Sequence, residues 1–251
     1  MKPIILDRLS ALEQERKIKV LFACESGSRA WGFPSPDSDY DVRFIYVKPI
    51  DWYLSLHQGK DSIDLPINDE LDIGGWELKK ALNLLRKSNA PVLEWLSSPI
   101  LYRYDAQFLE RLKALSAGFF SPIATMHHYL SMSRKYLEAC EGPELKLKRY
   151  FYALRTTVAA KWIREQGTMP PTDFTQMLPT LDPTLSSKIK ELIALKAGKG
   201  EAYVHPQEPE VLAFLEEELA LSEAAFQSLR GTKGDLEGLD QLFRETIKAQ
   251  S

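Results

Sequence analysis

The sequence predicts a small mixed α/β domain followed by an all-α helical bundle. Three observations carry that expectation. The first hundred or so residues alternate apolar, β-branched runs with turn-rich stretches and short amphipathic segments. Beyond about residue 104 the pattern is helix after helix. The chain has 251 residues, which at about 150 per domain suits one large domain or two small ones, either able to bury a core without staples. We place the boundary between residues 104 and 121, giving an α/β part over 1–115 and a helical part over 116–251.

Each element has its own signal. Residues 4–16 read as a short amphipathic helix, with Ile5, Leu9 and Leu12 on one stripe. KIKVLFACES is nearly continuously apolar and suits a strand buried on both faces. A Gly27-Ser28 turn and the short segment SRAWGF follow, and FPSPDSD is a loop, dense in Pro, Ser and Asp. YDVRFIYVKP is the next strand, with Asp41 and Arg43 on one face because side chains alternate. DSIDLPI and ELDIGG are extended. WELKKALNLLRKS places Leu78, Ala81, Leu82 and Leu85 at helical spacing, and SNAPVLEWLSS is a further short helix. Asp105 and Ser121 are N-caps for the next two helices. The longest helix lies within 142–167 and stops at Gly167. Three more follow, in 182–198, 208–231 and 236–249, while GTMPPTDFTQMLP and GEAYVHPQEPE are loops.

Composition narrows the classes. Lys+Arg is 32 and Asp+Glu is 35, so a net charge of −3 excludes a generally basic nucleic-acid coat protein, though not a local basic strip. Hydrophobic residues at 44% and charged residues at 27% exclude global disorder. Cys24 and Cys140 cannot build a disulfide framework or a four-thiolate zinc site. The start carries no secretory signal and no stretch is long and apolar enough to span a membrane, so a cytoplasmic protein is expected. P-loop and Rossmann phosphate motifs are missing.

The informative segment is ESGSRAWGFPSPDSDYDVRFIYV. It holds Gly27-Ser28, a ten-residue gap, and Asp39-x-Asp41 at the start of a strand. Gly27 lets the backbone turn sharply and approach another group closely. If Ser28 opens a helix, its hydroxyl and the free N–H groups form an anion site. Asp39 and Asp41, two apart on a strand, aim both carboxylates to one side and invite Mg²⁺. Asp72, between Leu71 and Ile73, is the candidate third carboxylate, because a flanked acid needs a partner. Asp64 and Asp69 are competitors for that place. Asp37, in the Pro/Ser-rich loop, reads as a turn residue.

These residues resemble the nucleotidyltransferase superfamily of DNA polymerase beta, whose motif is Gly-Ser, a gap of this length, Asp-x-Asp, and a third Asp on a later strand. GSRAWGFPSPDSDYDVRFIYV, LDIGGWELKKALNLLRKSNAPVLEWLSSPI and LKRYFYALRTTVAAKWI together resemble, more narrowly, a bacterial and phage family of predicted nucleotidyltransferases placed in an RNA repair pathway. The resemblance covers residues 20–180; the last 70 residues match no motif. It implies a nucleotidyltransferase catalytic domain, NTP as substrate, and two Mg²⁺ ions, with Mn²⁺ an acceptable substitute. By position, Gly27 and Ser28 bind nucleotide phosphates, Asp39 and Asp41 bind metal, and Asp72 holds the catalytic metal and helps deprotonate the acceptor hydroxyl. The implied acceptor is an RNA 3′ end. A protein hydroxyl, a small molecule of aminoglycoside type, and a non-catalytic nucleotide- or RNA-binding module are the alternatives. The helical part is then a wall of the substrate cleft.

Four cations join the candidate phosphate-binding set. Arg29 stands next to the anion-binding turn. Arg43 shares a strand face with Asp41, so it can reach a phosphate or neutralise the acidic cluster. Lys148 and Arg155 lie two turns apart on one flank of the longest helix, with Tyr152 beside them; the flank is either solvated or faces a phosphate-bearing ligand. Leu147, Phe151, Leu154, Val158 and Trp162 form that helix's core stripe. Trp31, Trp76 and Trp95 read as core anchors and Cys24 as a small core residue. His127 and His128, adjacent on a helix, do not share a face and are not a ligand pair.

Overall fold

The computed structural model describes every residue except Gln58, Asn68, Asp69, Glu141 and Ser251. In chain order its elements are α1 (Lys2–Arg16), β1 (Lys19–Ser26), the single turn α2 (Gly27–Ala30), β2 (Tyr40–Val47), α3 (Ile50–Leu54), β3 (Ser62–Asp64), β4 (Leu71–Glu77), α4 (Leu78–Arg86), α5 (Ala90–Leu96), β5 (Leu101–Tyr104), α6 (Ala106–Phe119), α7 (Pro122–Glu138), β6 (Glu144–Lys146), α8 (Leu147–Gln166), α9 (Pro183–Ala197), β7 (Val204–Pro206), α10 (Pro209–Ala225) and α11 (Leu236–Lys248). The mixed sheet with flanking helices and the helical later part agree with the predicted fold class.

The chain folds into two compact units that are not consecutive lengths of sequence. One takes Met1–Gly27, Asp39–Phe120 and Lys233–Ser251; the other takes Ser28–Ser38 and Ser121–Thr232.

The first unit is built on a five-stranded sheet in the order β3-β4-β2-β1-β5. β1 is antiparallel to β2 and β5, β2 is parallel to β4, and β3 is antiparallel to β4. Central β1 is buried from Val20 to Glu25, which is why its apolar run is unbroken rather than alternating. The predicted stripe of α1, Ile5, Leu9 and Leu12, packs into a core with Val20, Val42, Phe44, Tyr46 and Ile73. Gly75 in β4 permits a close crossing: a Cβ there would lie 2.3 Å from the Phe44 ring. Trp95 anchors α5 and stacks on Trp76, with ring centroids 4.0 Å apart. α11 belongs to this unit, where Arg111 pairs with Glu245 and Phe243 meets the Tyr53 ring edge-on. β5 was not legible in the sequence. It is a short, partly exposed edge strand whose register is set by its pairing with β1.

The second unit is organised by α8, which packs beside α7 and α10. Asp105 and Ser121 cap α6 and α7 as predicted, and Gly167, at φ +64°, ends α8 in the left-handed conformation. The stretch predicted as the start of α8 instead forms β6, which pairs with β7 inside the segment predicted as a loop. A partner about sixty residues away leaves no local signal. α8 is buried around most of its circumference, Leu147, Phe151, Leu154 and Val158 included, whereas Trp162 is only half-buried. Segment 28–38 is part of this unit's core. Phe33 stacks on Phe151 at 4.9 Å and meets Phe174 edge-on at 5.8 Å, while the Phe174 N–H donates to the Trp31 carbonyl.

Candidate active site

The parallel register of β2 and β4 puts Asp41 directly beside Asp72. Arg43, two residues on and therefore on the same face, bridges them. Its Nη2 donates to Asp72 Oδ2 at 2.7 Å and to Asp41 Oδ1 at 3.2 Å. Its Nη1 donates to the carbonyls of Val42 and Asp72, each at 3.1 Å. The three side chains are 22–29% exposed, so the cluster is neither sealed in the core nor freely solvated.

Two groups seat Asp41. Gly27 has φ +61°, and a Cβ there would lie 1.9 Å from Asp41 Oδ2, so only glycine lets the carboxylate lie against this backbone. Glu25, fully buried in β1, accepts the Asp41 N–H at 2.7 Å and the Tyr102 hydroxyl proton. The Ser98 hydroxyl donates to the Glu25 carbonyl at 2.6 Å. No motif in the sequence marks Glu25. Its signal is there nonetheless: an acid inside a buried apolar strand must have partners.

The other predicted acids are placed as follows. β2 begins at Tyr40, whose N–H bonds the Glu70 carbonyl, so half-buried Asp39 stands one residue outside the strand. Strand alternation therefore does not by itself align it with Asp41, contrary to the predicted pairing on one strand. Asp64 is exposed and lies opposite Gly74, one strand farther from β2 than Asp72. Asp69 lies outside the described residues. Burial raises the Cys24 thiol far above its usual range, which suits a core residue rather than a nucleophile.

The remaining candidates belong to the helical unit. Ser28 is buried, and Arg29 Nη2 donates to the Ser38 carbonyl at 2.7 Å. Arg155 is 5% exposed and stacks 4.1 Å over the Trp31 ring, so its place is the interior and not a solvated flank. Trp31 meets Tyr152 edge-on at 5.4 Å. Lys148 Nζ donates to Glu201 at 2.6 Å, and the same carboxylate accepts the Ser38 hydroxyl at 3.0 Å. Buried Lys196 donates to Ser35 Oγ at 2.8 Å; burial lowers its pKa. The Asp37 carboxylate accepts the Glu201 N–H at 2.9 Å, so it holds this loop by a contact made 164 residues along the chain. Glu201 and Lys196 had no sequence signal, since their partners lie 161 residues away or more in the case of Ser35 and Ser38.

The predicted site residues thus form two groups. Gly27, Asp41, Arg43 and Asp72 come together in the sheet unit; Ser28, Arg29, Lys148 and Arg155 lie in the helical one, where Lys148 approaches Tyr152 and Arg155 stacks on Trp31, a residue read from the sequence as a core anchor. Among the described residues, no three His, Cys, Asp or Glu side chains form a ready-made metal cage. Mg²⁺ does not demand one. It is commonly held by one or two carboxylates, with the rest of its shell supplied by water and substrate phosphates. The hard oxygens of Asp41 and Asp72, side by side and accessible, fit that chemistry.

Among the described residues, no helix is long and apolar enough to cross a membrane. The chain is 42% identical to an uncharacterized protein, YcgL, of Bacillus subtilis (strain 168), over 99% of this chain and 97% of that one. A nucleotidyltransferase-like protein from Exiguobacterium sibiricum 255-15 superposes with a TM-score of 0.31 at 12% identity, over 96% of this chain and 78% of that one. The model of the RNA repair pathway DNA polymerase beta family matches residues 1–245, and the chain belongs to that family.

Proposed function

We propose that this protein is a divalent-metal-dependent nucleotidyltransferase that moves a nucleoside monophosphate from an NTP to an RNA 3′ hydroxyl. The observation that carries the transferase reading is the Asp41–Asp72 pair, set side by side by a parallel register, with Asp41 pressed against the backbone of Gly27. The RNA acceptor is supported by the family's description.

In the proposed reaction the acceptor oxygen forms a bond to the α-phosphorus. The bond from that phosphorus to the bridging oxygen breaks in line, and pyrophosphate leaves with the electron pair. The acceptor proton passes to Asp72 and from there to water. Asp39, Asp41 and Asp72 are the ligands proposed for Mg²⁺, which when bound neutralises phosphate charge and lowers the pKa of the acceptor hydroxyl. Gly27 and Glu25 keep Asp41 in one place, so little reorganisation is needed during the reaction. Gly27 remains the proposed phosphate-binding residue beside the acidic pair, and Ser28, Arg29 and Lys148, in the helical unit, keep that proposal on the family match alone. For Arg43 the contacts with Asp41 and Asp72 favour charge neutralisation over phosphate binding. For Arg155 the stacking on Trp31 favours a structural share in its role.

The test uses each of the four NTPs labelled at the α-phosphate, with Mg²⁺, total cellular RNA and soluble protein. Wild type is compared with an Asp39→Asn/Asp41→Asn double variant. Label entering RNA with wild type alone is the expected result. Label entering protein or a small molecule would replace the acceptor, and no transfer with retained nucleotide binding would leave a binding module.

A further inference from the structure

The role of Arg43 goes beyond neutralising a patch. We propose that Arg43 is a positioning residue, the resident counter-cation of the Asp41–Asp72 pair, and that it makes divalent-cation binding at that pair depend on nucleotide. This rests on the nucleotidyltransferase reading of the site and deepens it.

Two carboxylates at directly neighbouring positions of adjacent strands repel one another. Strands stand only about 4.8 Å apart, so the sheet itself forces this proximity. Arg43 relieves it with one nitrogen, Nη2, that contacts both acids. Nη1 anchors the guanidinium to the backbone of each strand, through Val42 in β2 and Asp72 in β4. Four hydrogen bonds fix its plane. Swinging away to a distant phosphate would break all four. Asp41 Oδ2, the oxygen not given to Arg43, is turned towards Gly27.

A divalent cation that uses Asp41 and Asp72 must therefore share them with a positive charge already in contact. On the protein alone that repulsion weakens binding. A triphosphate adds negative charge and its own oxygen ligands, which offset the repulsion. Metal and nucleotide then load together, and neither metal nor an empty acidic pair is left exposed between turnovers.

The experiment measures Mn²⁺ binding to the full chain by calorimetry and by electron paramagnetic resonance, with and without α,β-methylene-ATP. Wild type is compared with Arg43→Met, Arg43→Gln, Arg43→Lys, Asp41→Asn and Asp72→Asn. Arg43→Met should bind Mn²⁺ alone about tenfold tighter than wild type, the size of effect one neighbouring charge has on a carboxylate. Its tightening by the nucleotide analogue should shrink correspondingly. Without metal its melting temperature should fall, and Mn²⁺ should raise it more than it raises that of wild type. Arg43→Lys keeps the charge without the fork, so its affinity should stay close to that of wild type; Arg43→Gln, which removes the charge but keeps a hydrogen-bond donor, should tighten Mn²⁺ binding as Arg43→Met does and carries the test if the methionine variant folds poorly. Equal Mn²⁺ affinities for wild type and Arg43→Met, with binding lost in Asp41→Asn, would overturn the inference while leaving the metal site standing. Mn²⁺ binding indifferent to Asp41→Asn and Asp72→Asn, with the analogue present, would overturn the metal site itself.

Discussion

Asp72 and Glu77 stand near opposite ends of the same strand, β4, and their carboxylates meet opposite fates. Glu77 is buried, and every contact it makes serves the fold: it accepts the Tyr53 hydroxyl at 2.5 Å and the backbone N–H groups that start α4, from Lys79 at 2.8 Å and Lys80 at 3.3 Å. It is the N-cap of that helix. Asp72 is accessible and is met by a side-chain cation. The same contrast recurs one strand over and across, between buried Glu25 and accessible Asp41. The difference teaches how to sort acids on a sheet. A buried carboxylate satisfied by backbone and hydroxyl donors holds the architecture. An accessible carboxylate held by a side-chain cation stands where a ligand can reach it.

The comparison can be broken experimentally. The largest effect should come from Asp72→Asn, which should lower nucleotidyl transfer by about 10²–10³-fold, the loss typical of removing one preorganised electrostatic contact. Its melting temperature should stay near that of wild type. A large stability loss there would erase the distinction between the two kinds of acid. Glu25→Ala should do the reverse first: stability measured by urea unfolding should drop by about 3 kcal/mol, because the Asp41 N–H and the Tyr102 hydroxyl lose a buried acceptor. Transfer should fall too, since Asp41 loses its seat.

The smallest effect concerns pH. Burial raises the Glu77 pKa above its ordinary 4.5, against the opposing hydrogen bonds from Tyr53 and the α4 amides. A raised carboxyl pKa means that the folded state binds the proton more readily than the unfolded one. Its contribution is therefore fully present below 4.5 and is lost as pH rises through the raised value. Wild type should gain stability relative to Glu77→Gln as pH falls towards 4.5, followed by thermal melts across that window. A flat difference would mean that Glu77 stays as freely ionised in the fold as in the unfolded chain.

Much of the candidate site is legible in the sequence because its signals are local. A Gly-Ser turn and an Asp-x-Asp pair need no distant partner to be read, and apolar flanks marked Asp72. Arg43 followed from alternation along one strand. Glu25 is not legible because a buried acid in an apolar strand looks like an interruption until its donors are seen. Periodicity alone places Arg155 on a helix flank. Segment 28–38 brings Trp31 over it, and that contact spans more than a hundred residues.

By itself the sequence determined the order of β1 to β4 and of the longer helices, the caps at Asp105 and Ser121, the stop at Gly167 and the stripe of α1, because hydrophobic period and capping chemistry act within a few residues. Tertiary structure alone decided that Asp72 stands beside Asp41, that α11 returns to the sheet unit, that segment 28–38 packs in the helical unit, and that β6 finds β7. Each of these is a choice of partner over a long stretch of chain. It is settled by which complementary surfaces bury together, and no local pattern encodes that.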